Sequence, residues 1–100
     1  MVSFKELTIW FDPTKGRKQT EKATAVFNSK VKTAEVALKG FHIGFTDGDR
    51  YIYQQEIDLD ILKIENNTVT VSADFLLRDN SGKIDDSFKG FIQCIVIANT

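Results

Sequence analysis

The residues that could carry out nucleophilic catalysis are few in this chain. It contains one histidine, His42, and one cysteine, Cys94, and any Ser-His-Asp or Cys-His system would have to use them. His42 lies between Phe41 and Ile43, and strand alternation turns its side chain away from both. Cys94 lies in an apolar run, where a cysteine usually behaves as a small buried hydrophobe. We therefore expect a surface or interface histidine and an unreactive thiol.

Metal and acid–base chemistry have no clear candidates. Transition metals usually require several His or Cys ligands. Calcium needs only oxygen ligands, but neither Asp47-Gly48-Asp49 nor the acidic stretch at 79–86 has the spacing of an EF-hand loop. Turn-forming Asp and Asn residues account for both stretches. Asp58 and Asp60 have the spacing of any solvated strand face. We predict no metal, no cofactor and no enzymatic activity.

The polar loops indicate binding instead of catalysis. Residues 78–87 concentrate side chains that donate and accept hydrogen bonds, which suits recognition of a hydroxyl-rich ligand, although an ordinary hairpin loop has a similar composition. We predict that Arg78, Asp79 and Asn80 bind the hydroxyl groups of such a ligand. A second polar loop supplies a further contact set, namely Asp47, Asp49, Arg50 and Tyr51.

The elements that carry these loops are strands. Between residues 69 and 77, apolar residues alternate with polar ones, as in a half-buried strand. The preceding segment 56–64 has the same period, and the shift at Leu62 and Ile64 indicates a bulge or a strand end. Asn66-Asn67 between the two segments is a turn signal, so the pair is predicted to form a hairpin.

The remaining chain shows the same period. Strands are predicted near 4–11, 22–28, 31–45 and 50–54, with a bulge at Lys39-Gly40 where the apolar parity slips. No stretch of ten or more residues has a helical period. The pattern predicts one domain, residues 1–100, with an all-β fold: an antiparallel β-sandwich of six or seven strands.

The last strand, predicted at 87–98, is apolar on both faces. One face carries Phe88, Ile92, Cys94, Val96 and Ala98, and the other carries Phe91, Ile95 and Ile97 with Gln93. A sandwich strand normally exposes its outer face to water, so a second surface must cover Phe91, Ile95 and Ile97. Two covers remain open: a neighbouring subunit, or the N-terminal segment of the same chain.

Composition and charge narrow the partners and the compartment. Thirteen basic and fourteen acidic residues leave a net charge near zero, which argues against a nucleic-acid binder. The sequence has neither a signal-peptide pattern nor an apolar run long enough to enter a membrane. A single cysteine fits a reducing compartment. We expect a cytoplasmic protein, or one released without a cleaved N-terminal signal.

The order of the later segments resembles a known family. Strand-like stretches follow one another at 25–27, 34–38 and 57–61, and after a tight turn at 67–71 and 90–98, with a polar loop before 57–61. This layout is similar to that of the H-type lectins, the family of snail agglutinin and the discoidin C-terminal domain. The resemblance implies a six-stranded sandwich, trimers that sometimes stack as hexamers, and N-acetylgalactosamine-type sugars bound near subunit boundaries. Where that family has an aromatic–histidine pair, this chain has Leu77-Arg78-Asp79-Asn80, and its last strand has no tryptophan.

Two functions follow from these observations. The first is a non-enzymatic, lectin-like carbohydrate-binding module that acts as a small symmetric oligomer, a trimer or hexamer. The second is a structural subunit of a larger complex that binds no glycan. The polar loops favour the first, and the two-faced last strand agrees with both.

Overall fold

The computed structural model describes residues 1–14, 18–46, 52–79 and 88–100. Its regular elements are all strands, as the period-two alternation predicts. Within the described residues there are six: β1 (Val2–Thr14), β2 (Gln19–Val26), β3 (Thr33–Phe45), β4 (Ile52–Glu65), β5 (Thr68–Asp79) and β6 (Phe88–Asn99). Five of them are 12 to 14 residues long, which gives the molecule an elongated shape of 47 × 18 × 17 Å.

The strands form two three-stranded antiparallel sheets packed face to face. The first sheet has the order β1-β6-β3 and the second has the order β2-β5-β4. The predicted antiparallel β-sandwich is therefore confirmed. The connection between β4 and β5 is the predicted hairpin, and Asn66 in its turn has a φ of 53°, which asparagine tolerates better than most residues.

The core lies between the two central strands. Val69, Val71, Phe75 and their neighbours on β5 face Ile92, Cys94 and Val96 on β6, and all of these side chains are buried. The ring centroid of Phe75 lies 4.8 Å from that of Phe11 and 5.2 Å from that of Phe88. Every second side chain of each central strand therefore points inward, and its apolar surface is buried away from water.

Four register shifts interrupt the strand pairing of the described residues, and two of them are indicated by the sequence. The pairing of β3 with β6 shifts between Leu38 and Gly40, so that Val36 before the shift and Ile43 after it both pack against the core. The predicted slip at Lys39-Gly40 is therefore confirmed. A second shift falls between Ile61 and Lys63 on β4, and the alternation at Leu62 and Ile64 indicates it correctly.

Three details differ from the sequence prediction. Residues 52–54 of the first predicted segment and the whole of 56–64 belong to one strand, β4, so the alternative of seven strands is wrong for the described residues. The second strand begins at Gln19 and ends at Val26. The N-terminal segment pairs beside β6 as an edge strand, from Val2↔Asn99 to Thr14↔Phe88. Because it lies in the same sheet, it does not cover the outer face of β6.

Candidate functional site

The predicted loops leave the sandwich at the same end. At this end β1, β3 and β5 finish, while β2, β4 and β6 begin. The register shows their proximity directly: Ile52 pairs with Asp79, and Phe45 pairs with Phe88. We call this the loop end. The first contact set begins in the last two residues of β5, and the second lies in the chain between β3 and β4, so both are attached to strand ends at the loop end.

The structure describes only part of the predicted ligand site. Arg78 and Asp79 are the last two residues of β5. The other predicted contact residues, Asn80, Asp47, Asp49, Arg50 and Tyr51, lie outside the described residues. The backbone pair Ile52↔Asp79 places the end of β5, which carries Arg78 and Asp79, beside the start of β4, which the second contact set precedes in the chain.

Arg78 has an unusual environment. Its side chain is half-buried, and its Nε atom is buried without a hydrogen-bond acceptor among the described residues. The neighbouring Gln54 Nε2 donates to Glu56 Oε1 at 2.9 Å, so that carboxylate already has a donor. A guanidinium group only donates hydrogen bonds, and a buried donor without an acceptor costs about 1–3 kcal/mol. Arg78 is thus a half-buried cationic side chain at the loop end, whose Nε has no acceptor in the described part of the chain.

A buried leucine lies next to Arg78 on the outer side of β5. The strand alternation turns Leu76 away from the core, yet it is only 3% exposed. Glu56 pairs with Leu76, and Lys18 Nζ reaches Glu56 Oε2 at 3.4 Å from the other side of β5. The loop end of the second sheet is therefore more enclosed than the rest of its outer face.

Aromatic residues cluster on the outer face of the first sheet near the loop end. Trp10, Phe91 and His42 lie in one row across β1, β6 and β3. The ring centroids of Trp10 and Phe91 are 4.7 Å apart, and His42 stacks on Phe91 at 5.8 Å with an interplanar angle of 17°. Trp10 nevertheless remains 66% exposed. A cleft of about 420 Å³ adjoins this row, and Asp12 and Lys89 also line it.

Gly90 on β6 lies in close contact with the backbone of β3 beside the aromatic row. Its φ is +154°, and a Cβ atom at this position would overlap the carbonyl oxygen of His42. The absence of a side chain therefore lets β3 approach β6 closely just beneath the row.

The same outer face continues as an apolar surface towards the other end of the molecule. Val2 and Phe4 on β1 are 58% and 65% exposed, and they lie beside the half-buried Ile95 and Ile97 of β6. Across its middle, Lys39 Nζ on β3 forms an ion pair of 2.6 Å with Glu6 Oε2 on β1. We call the whole surface the assembly face; it consists of Val2, Phe4, Glu6, Thr8, Trp10, Glu35, Ala37, Lys39, His42, Phe91, Gln93, Ile95 and Ile97.

The outer face of the second sheet is polar over most of its length. Thr20 Oγ1 donates to Asp74 Oδ1 at 2.6 Å, and Thr24 and Thr70 form a hydroxyl pair at 3.4 Å. Asp58 and Asp60 lie on the same face of β4. This is the solvated outer face that an antiparallel sandwich normally shows, so the apolar face of the first sheet is the exception.

Cys94 and His42 lie in the surroundings that the sequence predicts for them. Cys94 is fully buried in the core, and burial raises the pKa of its thiol, which keeps it protonated and poorly nucleophilic. His42 is exposed, and its ring contacts Phe91. The described residues contain no cluster of three or more His, Cys, Asp or Glu that could hold a metal ion, and no helix among them is long and apolar enough to cross a bilayer.

The sequence analysis named Phe91, Ile95 and Ile97 as an oligomer interface. Their side chains point outward in the structure, whereas their contact with a second subunit stays a prediction, and Val2, Phe4 and Trp10 lie on the same outer face. The sequence alone did not show that β1 pairs with β6. The parity of Phe4 and Trp10, opposite to that of Ile9 and Phe11, indicates an outward apolar set once β1 is placed beside β6.

Comparisons with known proteins provide no relative. No protein-family model, no curated protein and no solved structure matches this chain.

Proposed function

We propose that this protein is a non-enzymatic, lectin-like carbohydrate-binding module that acts as a small symmetric oligomer. The observation that carries the proposal is the apolar assembly face, which ends beside the loop end. An oligomer formed through this face places several loop ends side by side, and linked weak sites gain avidity.

The energetics favour covering the assembly face. Burial of one large apolar side chain contributes about 1.5–3 kcal/mol, and Trp10 and Phe4 are both about two-thirds exposed in the isolated chain. Contiguous apolar patches of this kind mark interaction sites, and aromatic residues are the usual anchors of an interface. Phe91, Ile95 and Ile97 are central in this proposal because β6 is the middle strand of the sheet.

The loop end supplies the chemistry for a hydroxyl-rich ligand. Arg78 provides guanidinium N–H donors from a half-buried side chain, and Asp79 lies next to it at the end of β5. Neutral sugars need several donors and acceptors from a rigid support, and the two paired strands β4 and β5 give that support. The proposed contact set is completed by Asn80, Asp47, Asp49, Arg50 and Tyr51.

The assembly is tested by the solution mass of the wild type and of two matched variants. Ile95→Lys places a charge on the middle strand of the assembly face, and Ser72→Lys places it on the middle strand of the polar face. We expect an oligomer, a trimer or hexamer, for the wild type and for Ser72→Lys, and a folded monomer for Ile95→Lys. A monomeric wild type contradicts the proposal.

Glycan binding is tested on an array of N-acetylgalactosamine-type and other sugars, followed by calorimetry. Arg78→Ala is expected to abolish binding while circular dichroism and oligomer mass stay unchanged. Lys18→Ala removes a nearby cation that is already paired with Glu56, so binding should persist. Unchanged binding by Arg78→Ala contradicts the assignment of this loop.

A structural role without glycan binding is the second candidate. The observation that favours it is the length of the assembly face, which runs from Val2 near one end of the first sheet to Trp10 near the other. This candidate predicts a stable complex with another protein and no affinity for any sugar on the array. An oligomer with no glycan ligand favours it over the first candidate.

A further inference from the structure

An ion pair interrupts the apolar assembly face at its middle. Glu6 lies on β1 and Lys39 on β3, so their 2.6 Å contact spans β6 between them. Both side chains are nearly half exposed, at 46% and 45%. Between exposed groups such a pair contributes little, about 0–1 kcal/mol, so it adds little to the stability of one chain.

We propose that Glu6 and Lys39 also pair between subunits and thereby set the register of self-assembly. In this arrangement neighbouring copies are related by a rotation axis parallel to β6, which brings the β1 side of one assembly face against the β3 side of the next. The proposal rests on the proposed oligomer and adds its partner, its axis and its specific contacts.

The axis direction follows from the placement of the two charges. Rotation about an axis parallel to the strands keeps each residue at its height and brings the β1 side of one copy against the β3 side of the next. Glu6 then meets Lys39 of the partner subunit. An axis across the strands, centred on the ion pair, would bring β1 against β1 and Glu6 against Glu6. Charge complementarity therefore favours the strand-parallel axis.

The other rows of the face fit the same register. Trp10 and His42 occupy the two edges of one row, so a strand-parallel axis places Trp10 against His42 of the partner subunit. Phe4 and Glu35 occupy the edges of another row, and Phe4 then covers the aliphatic stem of Glu35 of the partner subunit. Thus each exposed aromatic residue of β1 meets a side chain with stacking or aliphatic surface.

The area reaches the lower limit of a specific interface. The face from Val2 to Trp10 covers about 27 Å of strand by the 18 Å width of the molecule, roughly 500 Å² per partner, and specific interfaces bury at least about 1,000 Å² in total. Covering the face removes the hydrating water from the ion pair. A buried ion pair is favourable only when its remaining hydrogen-bond donors and acceptors also find partners. A second Glu6–Lys39 pair from the neighbouring copy supplies those partners.

The experiment measures oligomer mass by light scattering across a dilution series for Glu6→Lys, Lys39→Glu and the double exchange. Each single variant brings like charges together between copies, and we expect its dissociation constant to rise about 100-fold. The double exchange restores every opposite-charge contact, and we expect near wild-type assembly. An equimolar mixture of the single variants should also assemble better than either alone.

A matched control uses the ion pair of the second sheet. Lys18 and Glu56 also lie on either side of a central strand, with side-chain exposures of 49% and 44%. Lys18→Glu and Glu56→Lys should therefore leave the oligomer mass unchanged. Circular dichroism verifies that every variant is folded.

The outcomes separate the two proposals. If the wild type is monomeric, the proposed oligomer and this register both fail. If the wild type is oligomeric but the single exchanges assemble normally, or the double exchange does not recover, the register is wrong and the oligomer stands. Loss of assembly in the singles with recovery in the double supports the register.

Discussion

Gly90→Ala should destabilise the protein severely, because the close contact between β6 and β3 leaves no room for a side chain. At a φ of +154° an alanine is strained, which costs about 1–3 kcal/mol. Its Cβ would overlap the His42 carbonyl oxygen and lie only 2.8 Å from Ile43 Cα. These atoms belong to the backbone, so β3 itself must move.

The size of the effect follows from these terms. Displacement of β3 weakens the neighbouring ladder hydrogen bonds, each of which contributes about 1 kcal/mol. Together with the strain, the expected loss in the free energy of unfolding is at least about 3 kcal/mol. The free energy of unfolding of a typical domain is only about 5–15 kcal/mol, so this substitution removes a large fraction of it. At about 4–8 °C per kcal/mol, the melting temperature should fall by roughly 12–24 °C.

Gly44→Ala is the matched control for this prediction. Gly44 lies on β3 opposite Lys89, next to the Gly90 pair, but a Cβ there meets nothing within 4 Å. Its effect should stay within about 1 kcal/mol. Urea unfolding followed by circular dichroism measures both variants. If Gly90→Ala unfolds within about 1 kcal/mol of Gly44→Ala, the close approach of the two strands is not as the structure has it.

Three further outcomes test the core, the hairpin turn and the buried thiol. Phe75→Ala should lower the free energy of unfolding by about 3–5 kcal/mol in urea titrations, because this fully buried ring contacts Phe11 and Phe88. Asn66→Gly should be nearly neutral, whereas Asn66→Val should cost about 1–2 kcal/mol at its φ of 53°; equal stabilities would refute the turn geometry. Native Cys94 should resist a thiol reagent that labels it in urea. Because burial raises its pKa, the unfolded state loses this proton first as pH rises, so stability should decline above about pH 9, and Cys94→Ala should remove that decline.

Much of the fold follows from local alternation. The segment 69–77 alternates so regularly that its strand and its inward set could be identified from the sequence, and β5 buries Val69, Val71 and Phe75 as expected. The bulge near Gly40 could also be identified, because an inserted residue necessarily shifts the apolar parity. Such features depend on near neighbours in the chain and on the two-residue period of a strand.

The sequence by itself determined that His42 and Cys94 have different surroundings, and that Phe91, Ile95 and Ile97 share one face of the last strand. Only the tertiary structure decided what lies beside that face. The N-terminal strand could have covered it, but it pairs along the edge of β6 and adds Phe4 and Trp10 to the exposed surface. Strand alternation specifies the two faces of each strand, whereas the choice of neighbouring strand depends on hydrogen-bond pairing between residues nearly a hundred positions apart, as in Val2↔Asn99.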